Sequence, residues 1–93
     1  MKFMNTWKMM PGCYKATMER FLSSGAPDPE GLTTIGRWHA PGSSYGWHLF
    51  EATPAAAAEL LATWADVLEM QITPVIEDAE AASSAAKVLG KAS

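Results

Sequence analysis

The sequence lacks several features that would assign it to an environment. Its single cysteine, Cys13, gives neither an intramolecular disulfide nor a paired-cysteine zinc site, which is typical of a reducing compartment. It has no run of about twenty apolar residues that would span a membrane. The opening residues 1–8 are too short and too polar for a signal peptide. We therefore expect a cytoplasmic protein that does not associate with membranes.

Positive charge is also scarce. Seven Lys and Arg residues stand against ten Asp and Glu residues, for a formal net charge of -3. The basic residues are scattered along the chain and form no stripe that could neutralise a phosphate backbone. Nucleic acid is therefore not an expected partner.

Large apolar side chains, in contrast, are abundant. The 93 residues include four Trp, three Phe, two Tyr and six Met. A chain of this length buries only about two-thirds of the surface that it exposes when unfolded. We therefore expect a homodimer, in which a second copy covers the apolar surface that one chain cannot.

The most distinctive stretch is residues 35–50, which holds both histidines, one of the two arginines and half of the tryptophans. Two extended runs, 32–39 and 45–52, flank the turn sequence Pro41-Gly42-Ser43-Ser44, and this arrangement predicts a β-hairpin. Large side chains occur at both odd and even positions of 45–52. Both faces of the sheet should therefore be covered, one by helices and the other by a second subunit.

The remaining elements follow from local signals. Strands are predicted at 2–8 and 70–76, and helices at 13–24, from Thr53-Pro54 onward with an apolar face reaching Leu68, and at 77–90. Pro74 cannot donate to a ladder, so the last strand should lie at a sheet edge, or the nitrogen of Pro74 must face away from a partner strand. The last helix has a thin apolar face and should dock weakly, on its own subunit or across a dimer.

The element order is strand, helix, strand, strand, helix, strand, followed by the last helix. This order predicts a single α+β domain over residues 1–93 with the ferredoxin-like βαββαβ fold, a four-stranded antiparallel sheet with two helices on one face. Simple alternation along 32–39 puts Ile35, Arg37 and His39 on one face of the sheet. It puts Thr34, Gly36 and Trp38 on the other.

The register of the hairpin has two alternatives. If Trp38 stands opposite Trp47, then Arg37 stands opposite His48 on the other face. If the turn is one residue longer, Arg37 meets Trp47 instead. The sequence does not decide between them. In the second register one face of the sheet carries Arg37, His39, Tyr45, Trp47 and Glu51. This set combines a cation, an imidazole, a phenol and a carboxylate with aromatic walls, as small-ligand pockets do.

The hairpin also supplies the candidate site residues. The predicted ligand-binding set is Arg37, Trp38, His39, Tyr45, Trp47, His48 and Glu51. The planar guanidinium of Arg37 suits a carboxylate or another anion, and His39 is the candidate catalytic acid or base because imidazole titrates near neutral pH. The alternative is structural: Arg37 pairs with Glu51 or with a carboxylate of the partner chain, and both histidines form hydrogen bonds within an interface.

No metal site is predicted, because a third ligand beside His39 and His48 is not specified by any spacing, although Glu51 is conceivable. The sequence does not identify a cofactor. The glycines of the hairpin do not form a phosphate-binding loop, since no helix follows them.

Short sequence motifs occur along nearly the whole chain, among them Phe3-Met4, Pro11-Gly12, Gly36-Arg37-Trp38-His39 and Thr73-Pro74-Val75. Together they resemble the short bacterial family known as domain of unknown function 3303, and Gly-Arg-Trp-His is the most distinctive. That family is similar to the dimeric α/β-barrel group, whose ferredoxin-like subunits pack sheet against sheet. The resemblance implies a fold and a dimer. It implies no activity.

Three functions remain. The first is a dimeric module that binds a small, partly apolar, anionic ligand beside the hairpin. The second is a cofactor-independent enzyme, similar to a monooxygenase or an isomerase, that uses His39. The third is a purely structural association domain. A cavity of about 300 Å³ or more that reaches Arg37 and His39 would favour the first two, and a partner that sets the tautomer of His39 would favour the enzyme.

Overall fold

A four-stranded antiparallel sheet organises the protein, as a computed structural model covering residues 1–90 describes it. The elements in chain order are β1 (Lys2–Met9), α1 (Tyr14–Ser24), β2 (Leu32–His39), β3 (Tyr45–Ala52), α2 (Pro54–Trp64), β4 (Leu68–Pro74) and α3 (Asp78–Leu89). The strand order across the sheet is β2-β3-β1-β4. The α+β ferredoxin-like prediction is confirmed.

The core lies between the sheet and the helices α1 and α2, and we call this side of the sheet the covered face. Along β1 the buried residues alternate with more exposed ones, so that Phe3, Trp7 and Met9 all point to the covered face. They form one apolar cluster with Leu60 and Trp64 of α2. On the opposite side of the sheet, the uncovered face, β2 and β3 expose large side chains, among them Trp38 and Trp47.

Helix α2 begins where the sequence predicts, and a side chain of α1 holds the two covering helices together. The side chain of Thr53 accepts a hydrogen bond from the backbone N–H of Ala56 at 3.1 Å, and Pro54 is the first residue of α2. This confirms the predicted helix start. Arg20 of α1 then ties the helices together, because its guanidinium donates to both carboxylate oxygens of Asp66 and to the carbonyl of Thr63.

The edge position of β4 is also as predicted, since β4 pairs only with β1 in this sheet. Its bounds differ from the prediction. The strand begins at Leu68, which pairs with Met9, and ends at Pro74. Leu68 therefore belongs to the sheet and not to the apolar face of α2, because that helix has already ended at Trp64.

A β-bulge in β2 corrects the predicted faces of that strand. The pairing with β3 shifts between Thr34 and Gly36, and the extra residue, Ile35, is exposed. Because a bulge inserts one unpaired residue, the alternation reverses across it. Thr34 therefore shares the covered face with Arg37 and His39, where simple alternation had put it on the other face.

The helix α3 has no buried residue, so the predicted docking on its own subunit is not observed. Val88 and Leu89 are 84% and 70% exposed. The chain has a radius of gyration of 16.2 Å, compared with about 12 Å for a compact domain of this length. Docking of α3 across a dimer stays a prediction. None of the helices within residues 1–90 has the length and apolar character needed to cross a membrane.

Candidate functional site

The hairpin adopts the first of the two registers. Trp38 stands opposite Trp47, and Arg37 stands opposite His48. A type II-like turn closes it, with Pro41 followed by Gly42 at a positive φ of 76°. This register divides the predicted site residues between the two faces: Arg37, His39 and His48 on the covered face, and Trp38, Tyr45, Trp47 and Glu51 on the uncovered face.

The division rules out the pocket that the other register would have built, because Arg37 and His39 do not share a face with Tyr45, Trp47 and Glu51. The predicted alternative of an Arg37–Glu51 pair within one chain is also wrong. Glu51 instead accepts a salt bridge from the amino group of Met1 at 3.2 Å. Within residues 1–90, none of the salt bridges involves Arg37.

A row of polar side chains crosses the covered face. Arg37 on β2 stands opposite His48 on β3, and His48 stands opposite Asn5 on β1. Asn5 is 1% exposed and His48 is 3% exposed, whereas Arg37 is half-buried. Three polar residues thus occupy neighbouring positions on the side of the sheet that forms the apolar core. We call Arg37, His48 and Asn5 the polar row.

A cavity of about 60 Å³ lies beside the polar row, between the sheet and the helices. The three residues of the row line it, together with apolar and aromatic side chains that include Trp7, Phe21 and Trp64. It reaches His39, which is exposed, and so extends to the molecular surface. Its volume is well below the 300 Å³ or more typical of pockets for drug-sized ligands.

One atom of the polar row is unsatisfied. The side-chain oxygen of Asn5 is buried and has no hydrogen-bond partner within the described part of the chain. A buried acceptor without a partner costs about 1–3 kcal/mol, so such atoms are rare in folded proteins. The sequence did contain a signal for this residue. Asn5 alternates with Phe3 and Trp7 on what is otherwise an apolar strand face.

His48 is oriented by a chain of hydrogen bonds that reaches the loop before β2. The Thr34 hydroxyl lies 2.6 Å from one carboxylate oxygen of Asp28 and 2.8 Å from Nε2 of His48. Because the carboxylate only accepts, the hydroxyl donates to Asp28, and its oxygen accepts the N–H at Nε2 of His48. The Thr34 backbone N–H also donates to Asp28, at 3.1 Å. His48 is therefore the tautomer with its proton on Nε2.

Burial and charge keep His48 neutral. Loss of hydration lowers the pKa of His48 to about 4, and the positive charge of Arg37 adds to that decrease, while Asp28 opposes it. Burial by itself raises the pKa of Asp28, but the hydrogen bonds from Thr34 and the charge of Arg37 outweigh it, so that pKa lies below its ordinary value. At neutral pH the carboxylate is charged and the imidazole is not.

His39 has a different environment at the mouth of the cavity. Its ring meets the edge of Trp7 at a centroid distance of 4.9 Å and lies 5.7 Å from the ring of Phe21. Gly46, opposite both Trp7 and His39 in the sheet, makes this approach possible. A Cβ atom at Gly46 would overlap the Trp7 ring and the Trp38 carbonyl oxygen.

The uncovered face carries the remaining predicted residues as an exposed patch. Trp38, Tyr45 and Trp47 are 52%, 44% and 39% exposed, and the ring centroids of Tyr45 and Trp47 lie 5.6 Å apart. Met4 and Leu49, paired with each other and half-buried, continue this apolar surface. We call these five residues the front patch.

Residues 1–90 contain no group of three or more His, Cys, Asp and Glu side chains placed to hold a metal ion. The conceivable combination of the two histidines with Glu51 is not assembled. Glu51 lies on the uncovered face, and both histidines lie on the covered one.

The comparisons with known proteins show a family and add no activity. No curated protein and no solved structure matches the chain. A family model described as "Domain of unknown function (DUF3303)" matches residues 1–89. Since this match covers nearly the whole chain, the chain belongs to the DUF3303 family of domains of unknown function.

Proposed function

We propose that this protein is a homodimeric module that binds a small anionic molecule in the cavity beside the polar row. The observation that carries the proposal is Arg37, a half-buried cation that lines this cavity and forms no salt bridge within residues 1–90. A charged acceptor on the ligand would pair with this guanidinium.

Arg37 supports the anionic character of the ligand. It lines the same cavity and forms no salt bridge within residues 1–90, although its charge contributes to lowering the pKa of Asp28. A half-buried guanidinium forms a stronger hydrogen bond with a charged acceptor, such as a carboxylate, than with a neutral one. The neighbouring His48 is neutral, so Arg37 carries the positive charge of the row.

The volume of the cavity limits the ligand. About 60 Å³ holds roughly four to six water-sized groups, at about 10–15 Å³ for each. A molecule of the size of a short carboxylic acid fits, and a nucleotide or a polycyclic ligand does not. The cavity does not meet the criterion of about 300 Å³ set by the sequence analysis, so its volume does not favour a ligand-binding module over a purely structural domain. The charge of Arg37 carries the proposal, and the volume restricts the ligand to this small class.

Binding is favoured over catalysis by the contacts of the two histidines. An acid or base needs a partner that selects its tautomer and aims its free nitrogen. His39 is held by the rings of Trp7 and Phe21, which do not select a tautomer. His48 has such a partner in Thr34, but its low pKa makes it a weak base at neutral pH.

The front patch supports the dimer. Its aromatic residues are exposed on the sheet surface and are flanked by charges of both signs on the same face, Lys2 and Lys8 with Glu51 and Glu69. A two-fold axis through such a surface can bring each charge against its opposite, because the same patch meets itself. A second copy of the chain is therefore the occupant that we propose for the uncovered face.

Titration calorimetry with propanoate tests the ligand site. We expect saturable binding by the wild-type protein and at least about tenfold weaker binding by Arg37→Gln, because the ligand loses its charged partner. Lys8→Gln is the matched control: it removes one positive charge from the uncovered face and should leave the affinity unchanged. Absence of saturable binding by the wild-type protein would overturn the proposed ligand site.

Sedimentation velocity over a dilution series tests the dimer. We expect Trp47→Lys to weaken self-association by at least about tenfold, because it puts a charge at the centre of the front patch. Leu22→Lys is the control, since Leu22 is 78% exposed on α1, outside the front patch. A wild-type protein that is monomeric at all concentrations, or an equal effect of both variants, would contradict the dimer.

A further inference from the structure

Arg37 and His48 stand directly opposite each other on β2 and β3, on the covered face of the sheet. Side chains at such positions have Cβ atoms about 4.5–5.5 Å apart. Both residues line the cavity, and His48 is 3% exposed, so little water screens the imidazole from the charge of the guanidinium. The affinity of His48 for a second proton therefore depends on the net charge at Arg37.

The other groups around His48 also influence this proton affinity. Asp28 reaches the ring through the Thr34 hydroxyl, which accepts the N–H at Nε2. β1 contributes the neutral Asn5 opposite His48. Among the described residues of α1, α2 and β4, those that line the cavity are not titratable, and the second imidazole, that of His39, lies at its mouth. The carboxylate is therefore the negative charge that opposes the guanidinium at this ring.

An anion at Arg37 would change the balance between these charges. Burial lowers the pKa of His48 to about 4, and Arg37 contributes to the decrease, whereas Asp28 opposes it. The anion would offset the contribution of Arg37 and leave that of Asp28 in place. The carboxylate stays charged at pH 4 and above, because the pKa of Asp28 lies below its ordinary value. An anion beside the guanidinium therefore favours the imidazolium.

We infer that anion binding at Arg37 is coupled to the uptake of one proton by His48, so that the cavity holds its anion more tightly as the pH falls. This inference rests on the proposed function. The proton comes from solvent and binds at Nδ1, because Nε2 already carries the proton donated to Thr34. The coupling is reciprocal: an anion that favours the imidazolium is favoured by it to the same extent.

The distance between the charges sets the size of the coupling. Two charges about 10 Å apart, at an effective dielectric constant of about 20, change each other's affinity roughly tenfold. The small volume of the cavity keeps an anion at Arg37 within this distance of the imidazole. We therefore expect a coupling of about tenfold.

A ¹H NMR titration of the wild-type protein, with and without saturating propanoate, measures the protonation of His48 itself. The chain has two histidines, so the variant His39→Gln identifies the signal of His48. We expect propanoate to raise the titration midpoint of His48 by about one pH unit, which is a tenfold increase in proton affinity.

Two variants test whether Arg37 mediates the effect. Arg37→Gln should abolish the shift of the midpoint, because glutamine lacks the charge that the anion offsets. Lys8→Gln removes a positive charge from the uncovered face and should keep the shift. Both variants are titrated at the propanoate concentration used for the wild-type protein, so an effect of ionic strength would be common to all three.

The reciprocal effect is measured by titration calorimetry with the full chain. The affinity, expressed per ionised propanoate, should be about threefold higher at pH 4.5 than at pH 7, as midpoints of about 4 and 5 for His48 require. His48→Gln should remove this difference, because glutamine does not titrate. His39→Gln is the matched control and should retain it.

The outcomes separate the two proposals. If propanoate binds at pH 7, an unchanged midpoint of His48 or a pH dependence that persists in His48→Gln would overturn the coupling and leave the anion site standing. Absence of saturable binding at pH 7 would overturn the anion site and the coupling with it. The midpoint of His48 is read in the wild-type protein, so it decides the matter even if His48→Gln does not fold.

Discussion

On the covered face of the sheet, the hairpin of β2 and β3 contributes Arg37 and His48 to an otherwise apolar interior. On the uncovered face, the same two strands expose Trp38 and Trp47. Soluble antiparallel sheets usually show the opposite distribution, with apolar residues toward the helices and polar residues toward water. The proposed functions assign a role to each face of the hairpin, ligand binding on the covered face and self-association on the uncovered face.

The pH dependence of stability should show the largest difference between the faces. His48 has a pKa of about 4 in the folded protein and about 6.5 when unfolded, so the unfolded chain takes up the proton first as the pH falls. We expect the free energy of unfolding to decrease by up to about 3 kcal/mol between pH 6.5 and pH 4. Urea denaturation at a fixed protein concentration measures it.

The two histidines provide the control for this experiment. His48→Gln should remove most of the decrease between pH 6.5 and pH 4, whereas His39→Gln should keep it. A flat wild-type profile in this range would show that His48 is not buried as a neutral group.

Alanine substitutions at two glycines test how tightly each face of the sheet is packed. Gly46→Ala forces a methyl group against the buried Trp7 ring and against backbone, and should destabilise the fold by about 2–3 kcal/mol. Gly36→Ala meets only the ring of Trp38, which is exposed and can move, and should cost less than about 1 kcal/mol. Thermal unfolding of both variants ranks them. Equal losses would mean that the two faces are equally tightly packed.

Valine substitutions at two adjacent threonines should give the smallest difference in stability between the two faces. Thr34→Val on the covered face removes the hydroxyl between Asp28 and His48 and should cost about 1–2 kcal/mol, because both partners lose a hydrogen bond. Thr33→Val on the uncovered face should stay within about 0.5 kcal/mol of the wild-type protein. Denaturant midpoints measure both changes, and a larger loss for Thr33→Val would reverse the assignment of the two faces.

Local signals in the sequence were sufficient for much of the fold. The cap at Thr53-Pro54 and the edge position of Pro74 depend on backbone hydrogen bonding within a few residues, and both follow from the sequence. The bulge between Thr34 and Gly36 does not, because it depends on how β2 fits against the whole length of β3. That single residue decides which side chains share a face.

The candidate site was predictable in composition but not in arrangement. Arg37 and His48 were identified as candidates because residues 35–50 hold both histidines, one of the two arginines and half of the tryptophans. Their association with Asn5 depends on register across three strands, and the role of Asp28 depends on a loop. Neither relationship is encoded by spacing along the chain.

The indole groups of the four tryptophans report on the two faces in one ¹H–¹⁵N NMR spectrum. Trp7 and Trp64 line the cavity, whereas Trp38 and Trp47 belong to the front patch. We expect propanoate to shift the signals of Trp7 and Trp64, and dilution of the protein to shift those of Trp38 and Trp47. Propanoate shifts confined to Trp38 and Trp47, or dilution shifts confined to Trp7 and Trp64, would contradict the separation of functions between the two faces.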